Sequence, residues 1–150
     1  MTVLALMRHG EAAMSVPDGA RPITPTGHDQ ALHSANWLRG QGLVPDQALV
    51  SAARRTVETF RATGFACAMS ATEALYECRG QDVLDEVNGV PGDIAVLLVV
   101  GHFPGLPEAV SLLDPTAEPT GFEPGTVVLL DLDDGPVTPG SGRLRGAFTP

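Results

Sequence analysis

The stretch LMRHGEA, residues 6–12, joins an apolar run to a short charged segment. Residues 3–7 are all apolar, which predicts a β-strand buried on both faces of a sheet. The run stops at Arg8 and His9, and Gly10 follows. This Arg–His pair is either an exposed turn or the floor of a binding site, and the rest of the sequence decides between the two.

Strand and helix patterns alternate along the rest of the chain. Further strands are predicted at residues 47–51, 67–70 and 94–100. Helices are predicted at residues 52–63, at about 80–87 and from 104 towards 113. A closing antiparallel pair is predicted at residues 126–132 and 143–148, joined through a turn at 133–136. This order predicts an α/β three-layer sandwich, with a mostly parallel central sheet flanked by helices.

The first helix has the clearest start and stop signals. Thr24 is a good N-cap residue, and Pro25 suits the first helical position. Gly40 and Gly42 are predicted to end the helix. Its buried face is predicted from an apolar stripe, formed by Ala31, Leu32, Ala35 and Leu38.

Composition limits the classes of function. The chain has 150 residues and 43% hydrophobic content, which predicts one domain spanning residues 1–150. A net charge of −9 argues against nucleic acid or an anionic membrane as a partner. No apolar run is long enough to cross a bilayer and no leader pattern is visible, so we expect a cytoplasmic protein. All nine basic residues are arginines. An acidic protein can still bind an anion if some of its arginines lie close together, so their positions in the fold matter.

No cofactor or metal is predicted. Cys67 and Cys78 match neither a disulfide framework nor a metal-binding pattern. His28 and His33 are five residues apart, which is not the spacing of a helical zinc pair. The chain also lacks the lysine that a phosphate-binding Walker loop would need.

Cationic and imidazole groups follow three of the predicted parallel strands. Arg8 and His9 end the first strand, Arg55 lies just after the strand that ends at Ser51, and His102 follows residues 94–100. Ligands of such sheets bind beyond the carboxyl ends of the strands, so these side chains are expected to meet. An imidazole can attack phosphorus, and guanidinium groups match phosphoryl oxygens as bidentate donors. The pattern therefore favours phosphoryl transfer.

Four motifs together resemble the histidine phosphatase superfamily, which has the phosphoglycerate-mutase-like fold, and most closely its short SixA-type phosphohistidine phosphatases. They are LMRHGEA at residues 6–12, RPITPTG at 21–27, SAARRTVET at 51–59 and VVGHFPGL at 99–106. The resemblance implies that His9 is the phosphorylated nucleophile and that Arg8, Arg55 and His102 complete the phosphate pocket. Arg55 fits the family spacing Ser-x-x-x-Arg-x-x-x-Thr, although SAARR lacks the usual proline after the serine.

Two further residues are candidates through the same resemblance. Arg21 matches a recurrent arginine of the short members and is predicted at the edge of the pocket. Glu77 lies about where many members place the acid that protonates the leaving group, but a solvated glutamate fits the sequence nearly as well. Glu11 and Asp82 are the alternative acids.

The resemblance implies a metal-independent phosphatase that works through phospho-His9. A phosphorylated protein, carrying phosphohistidine, is the expected substrate, since short connections at residues 13–22 and 114–124 leave little sequence for a lid. Two alternatives stay open. One is a phosphatase or mutase acting on a small phosphorylated metabolite, and the other is a catalytically silent phosphate-binding module. The sequence leaves the oligomeric state open.

Overall fold

The computed structural model describes residues 2–118 and 121–150. Within them, the strands are β1 Thr2–Arg8, β2 Gln47–Ser51, β3 Ala68–Thr72, β4 Val96–Gly101, β5 Val127–Leu132 and β6 Gly142–Phe148. The helices are α1 Pro25–Gly40, α2 Arg54–Thr63, α3 Gly80–Asn88 and α4 Gly105–Leu113. Short 3-10 turns lie at Asp18–Ala20 and Glu73–Leu75. The predicted loop 114–124 contains Pro119 and Thr120, which lie outside the described residues.

The strands form one sheet in the order β3-β2-β4-β1-β5-β6. β3, β2, β4 and β1 are parallel to one another. β5 pairs antiparallel with β1 on one side and with β6 on the other. The predicted closing pair is therefore confirmed. The carboxyl ends of β1, β2 and β4 share one edge of the sheet. The candidate residues lie at or shortly after these ends: Arg8, His9, Arg55 and His102.

Alternate residues of the strands build the two halves of the core. Leu4 and Leu6 pack with α3 and α4, through side chains such as Leu84 and Leu106. Val3, Ala5 and Met7 point to the other face and pack with α1 and α2, through side chains that include Leu38 and Phe60. The predicted three-layer α/β sandwich is confirmed, and both faces of β1 are covered, as its continuous apolar run predicts.

The first helix begins as predicted but buries a narrower stripe. Thr24 is the N-cap, and its hydroxyl accepts from the amide of Gly27 at 3.1 Å. Ala31, Ala35 and Leu38 are buried, as expected. The prediction for Leu32 was wrong, because this side chain is 37% exposed. It lies one helical step (about 100°) round from Ala31, off the face that meets the sheet.

Two predicted boundaries shift for a shared reason. The third strand runs to Thr72 rather than to residue 70, because β2 and β3 pair as far as Ser51 and Thr72. The amide of Ala52 then donates to the carbonyl of Thr72 at 3.0 Å, which keeps Ala52 out of the helix. α2 consequently begins at Arg54, at the edge of the sheet.

In the part of the chain that the structure describes, no helix is both long and apolar enough to span a bilayer.

Candidate active site

The four principal candidates come together at the carboxyl edge of the sheet. The ring centroids of His9 and His102 are 5.4 Å apart. Nη2 of Arg55 lies 3.4 Å from Nδ1 of His102. The charge of Arg8 is close enough to lower the pKa of both rings, although burial is the larger cause. The order of the strands in the sheet therefore brings together side chains that are up to 94 positions apart in the sequence.

The backbone around His9 fixes which ring nitrogen is free. Nδ1 of His9 lies 2.7 Å from the carbonyl oxygen of Gly10. A carbonyl oxygen only accepts, so Nδ1 must carry the proton and the neutral ring leaves Nε2 with a free lone pair. The amide of Gly10 donates in turn to the hydroxyl of Thr59 at 3.0 Å, which ties the loop after β1 to α2.

Two glycines allow α1 to approach this loop. A Cβ on Gly10 would lie 2.3 Å from the carbonyl oxygen of Gly27, and a Cβ on Gly27 would lie 2.2 Å from that of Glu11. Real Cβ atoms do not come so close to backbone, so both positions require glycine. The residues next to His9 therefore pack backbone to backbone on the start of α1.

The first turn of α2 separates two neighbouring arginines. Arg55 points into the site and is buried, whereas Arg54 is exposed and pairs with Glu58 at 3.1 Å. Thr59 donates to the carbonyl of Arg55 at 2.7 Å. One helical step (about 100°) is enough to put consecutive side chains on different faces.

Both pocket arginines keep unused hydrogen-bond donors. Arg8 donates through Nη1 to the carbonyl of Phe122 at 2.8 Å, and its guanidinium lies 5.6 Å from the ring centroid of Phe103. The Nε atoms of Arg8 and Arg55 are buried and have no hydrogen-bond partner within residues 2–118 and 121–150. Buried donors are normally satisfied, so these two indicate a place for an acceptor-rich ligand.

The loop at residues 13–22 covers one side of Arg55 with Asp18. Arg55 donates through Nη1 to the backbone carbonyl of Asp18 at 3.0 Å, and through Nη2 to its carboxylate at 3.2 Å. The Tyr76 hydroxyl also donates to this carboxylate. That bond, helped by Arg21 and Arg55, lowers the pKa of Asp18 to about 2, so Asp18 is an anion at neutral pH.

Arg21 supports the loop rather than contacting the histidine rings. Its Nε donates to the carbonyl of Ala13 at 2.8 Å, and its Nη1 pairs with Asp18 at 3.2 Å. Its charge is among those that lower the pKa of His9. Arg21 therefore contacts Asp18, which in turn accepts from Arg55.

Burial makes both site histidines neutral over a wide pH range. The pKa of His9 falls to about 4, because burial disfavours the charged ring and Arg55 and Arg8 repel it. The pKa of His102 falls to about 3, through burial first and then through His9 and Arg55. A neutral imidazole at His9 is the form that can act as a nucleophile.

The acid candidates lie at different places around the site. Glu77 is exposed, follows Tyr76 and has a left-handed backbone with φ 51°. Such a conformation is uncommon for a residue other than glycine and recurs at functional sites. Glu11 accepts from the Thr24 hydroxyl at 2.9 Å, and Asp82 accepts from the amide of Arg79 at 2.8 Å, so both bond near the start of a helix.

Sequence reasoning missed three contacts of the site. Asp18 forms an ion pair with Arg55. The rings of Tyr76 and His102 meet edge to face, with their centroids 5.6 Å apart. Ser51 contacts Nε2 of His102 at 2.7 Å. Only Ser51 carried a signal, as the first residue of the Ser-x-x-x-Arg spacing; nothing in the composition of residues 13–22 marks Asp18.

No group of three or more histidine, cysteine or carboxylate side chains among the described residues is arranged to hold a metal ion.

Comparison with known proteins gives the family. The profile of the histidine phosphatase superfamily (branch 1) matches residues 4–86. The chain belongs to this superfamily, and the predicted family is confirmed.

The relatives agree with that assignment. Phosphohistidine phosphatase SixA of Escherichia coli K12 is 29% identical over 152 residues, covering 97% of this chain and 92% of that protein. A SixA-type phosphohistidine phosphatase structure from Nakamurella multipartitia superposes with a TM-score of 0.88 at 31% identity, covering 99% of this chain and 96% of that one. An uncharacterised Mycobacterium tuberculosis protein is 35% identical over 100 residues, which are 65% of this chain and 63% of that protein's length, so the match spans just under two thirds of that relative.

Proposed function

We propose that this chain is a phosphatase that transfers a phosphoryl group to His9 and then to water, and that its substrate is a phosphorylated protein carrying phosphohistidine. The observation that carries the proposal is the pair of buried, unpartnered Nε donors on Arg8 and Arg55 beside a neutral His9. Guanidinium donors match phosphoryl oxygens, which carry negative charge throughout the reaction. The similarity to SixA-type proteins supports the substrate class.

In the proposed reaction, His9 is the nucleophile. The Nε2 lone pair attacks phosphorus, a P–N bond forms and the bond to the leaving group breaks. Water then attacks phosphorus and loses a proton to solvent, the P–N bond breaks and its electron pair returns to Nε2. Arg8, Arg55 and His102 hold the phosphoryl oxygens in both steps, and the Nδ1–H bond to Gly10 keeps the His9 ring oriented.

Exposed apolar side chains near the pocket favour a protein over a small polar metabolite. Phe103, which contacts Arg8, is 57% exposed. Met14 and Val16, in the loop that carries Asp18, are 89% and 93% exposed. Phenylalanine, methionine and arginine are enriched at protein interfaces, so exposed Phe103 and Met14 near the pocket arginines favour a protein substrate.

One observation favours the metabolite alternative. Glu77 follows Tyr76 with a left-handed backbone, and its charge is among the causes that raise the pKa of the Tyr76 hydroxyl. A carboxyl group near Tyr76 is a candidate to protonate an alkoxide leaving group. General-acid help of this kind contributes roughly 10²–10⁴ in rate. Phosphohistidine needs less help, because its imidazole can take a proton from solvent before it leaves.

Trapping the intermediate tests the proposal. A brief quench with ³²P-labelled phosphohistidine peptide should leave label on the protein as an acid-labile, base-stable adduct. His9→Ala should abolish the adduct, while His28→Ala, which removes an exposed histidine of α1, should retain it. Label that survives in His9→Ala would refute the role of His9, and a wild-type protein that binds phosphate without any turnover would favour the silent binding module.

A further inference from the structure

Ser51 contacts the candidate phosphate ligand His102 on the nitrogen that faces away from Arg55. Nδ1 of His102 lies 3.4 Å from Nη2 of Arg55, whereas Nε2 lies 2.7 Å from the Ser51 hydroxyl. Ser51 is the last residue of β2 and has no exposed surface. Its backbone carbonyl accepts from the Thr56 hydroxyl at 2.7 Å, which fixes the main chain and leaves the Ser51 side chain to the ring.

The contact with Arg55 defines the proton position on His102. A guanidinium N–H only donates, so Nδ1 of His102 must be the acceptor. The neutral ring then carries its proton on Nε2, which donates to the Ser51 oxygen. A second proton on the ring is disfavoured, because burial and the nearby His9 and Arg55 lower the pKa of His102 to about 3.

A bound phosphoryl group demands the opposite arrangement. Its ionised oxygens only accept, so the His102 nitrogen that faces them must carry a proton. The neutral ring can provide this by exchange with water, in which Nε2 releases one proton and Nδ1 takes one up. The ring charge is unchanged, but Nε2 is left as a bare acceptor that needs a donor.

We propose that Ser51 is a positioning residue for His102: its hydroxyl accepts from Nε2–H while Nδ1 faces Arg55, and donates to Nε2 when Nδ1–H faces a phosphoryl oxygen. A hydroxyl can do both, because it carries one donor and two acceptor sites. The inference rests on the proposed function, since it requires a phosphoryl group at Arg55 and His102. In both tautomers the Ser51 hydroxyl would stay hydrogen-bonded to Nε2 and so hold the His102 ring in one orientation.

The tautomers can be observed directly by nitrogen NMR of ¹⁵N-histidine-labelled protein. Tungstate is a suitable probe, since it is a tetrahedral dianion that does not titrate near neutral pH. In the free protein, His102 should show a protonated Nε2 and a bare Nδ1, and tungstate should reverse the two. Two protonated nitrogens with tungstate, or an unchanged Nε2–H tautomer, would overturn the proposal.

A double-mutant cycle tests whether Ser51 acts through His102. Ser51→Ala should weaken tungstate binding by about tenfold, the effect of one well-placed buried hydrogen bond. In a His102→Ala background the same change should weaken binding by less than about twofold, because no ring remains to be positioned. Ser141→Ala, which changes another buried serine just before β6, should leave binding unchanged. Equal losses in both backgrounds would show a general structural role and refute the inference.

The same data separate the two proposals. If saturating tungstate shifts the ring signals of His9 while His102 keeps its proton on Nε2, only the role of Ser51 is refuted. If tungstate moves neither ring, the phosphate pocket itself is refuted, and the proposed function with it.

Discussion

The two edges of the parallel sheet use hydrogen bonds in opposite ways. At the amino edge, the carboxylate of Asp46 accepts from the amides of Ala95 and Val96 at 3.1 and 2.9 Å, joining the starts of β2 and β4. At the carboxyl edge, Arg8 and Arg55 keep buried Nε donors without a partner in the described residues. At the first edge one carboxylate satisfies two backbone donors, and at the second two guanidinium donors have no partner among the described residues. Changes at the first should affect stability, and changes at the second should affect catalysis.

The largest effect on catalysis should come from removing a donor at the carboxyl edge. Arg55→Ala should lower kcat/KM for phosphohistidine peptide by about 10²–10³-fold, the usual cost of one transition-state donor. Arg55→Lys should recover only part of this, because lysine keeps the charge but not the planar fork. Arg54→Ala is the matched control and should change kcat/KM by less than about twofold, since Arg54 pairs with Glu58 at the surface. Similar losses at both positions would show that the effect does not depend on the buried guanidinium of Arg55.

The second effect is a loss of stability in mild acid. Unfolded histidines take up a proton near pH 6.5, whereas folded His9 and His102 resist it down to pKa values of about 4 and 3. Between pH 6.5 and the folded pKa of each ring, the unfolded state binds more protons than the folded state. The free energy of unfolding should therefore fall by about 1.4 kcal/mol for each ring and each pH unit of acidification. Denaturant unfolding from pH 7 to pH 4.5 should show this slope, and the double variant His9→Gln with His102→Gln should flatten it. An unchanged slope in the double variant would mean that other groups control acid stability.

The amino edge should show a smaller effect, on stability alone. Asp46→Ala removes the acceptor of two exposed backbone amides, which water can partly replace, and should lower the free energy of unfolding by about 0.5–1.5 kcal/mol. Asp46→Asn keeps one acceptor oxygen and should lose less. Both variants should retain kcat/KM within about twofold. A large loss of activity with normal stability would show that the two edges are coupled.

The smallest effect is expected at Glu77. Glu77→Gln should change turnover of phosphohistidine peptide by less than about twofold, because the imidazole leaving group takes its proton from solvent. Rapid wild-type hydrolysis of an alkyl phosphate that is lost in Glu77→Gln would make Glu77 the general acid and favour a metabolite substrate. Nitrophenyl phosphate, whose leaving group is stable without a proton, is the matched control substrate.

The sequence predicted the sheet better than it predicted the contacts around the site. Buried parallel strands are continuous apolar runs, so residues 3–7, 47–51 and 94–100 were located closely, and the position of His9 and His102 after such runs followed from fold rules. Asp18 could not be found this way, because a loop has no periodicity and its contact with Arg55 spans 37 positions. The roles of the site residues stay predictions until the variants are measured.

The backbone contact between Gly10 and Gly27 makes the loop after β1 and the start of α1 a single structural unit. Each missing Cβ would meet main-chain atoms, which no change of rotamer can relieve. In a mutational scan scored by activity, position 27 should therefore be as intolerant as a catalytic position, although it lies 18 residues from His9 and carries no chemistry. For the same reason, a graft of residues 1–12 onto another scaffold would have to bring the first turn of α1 with it.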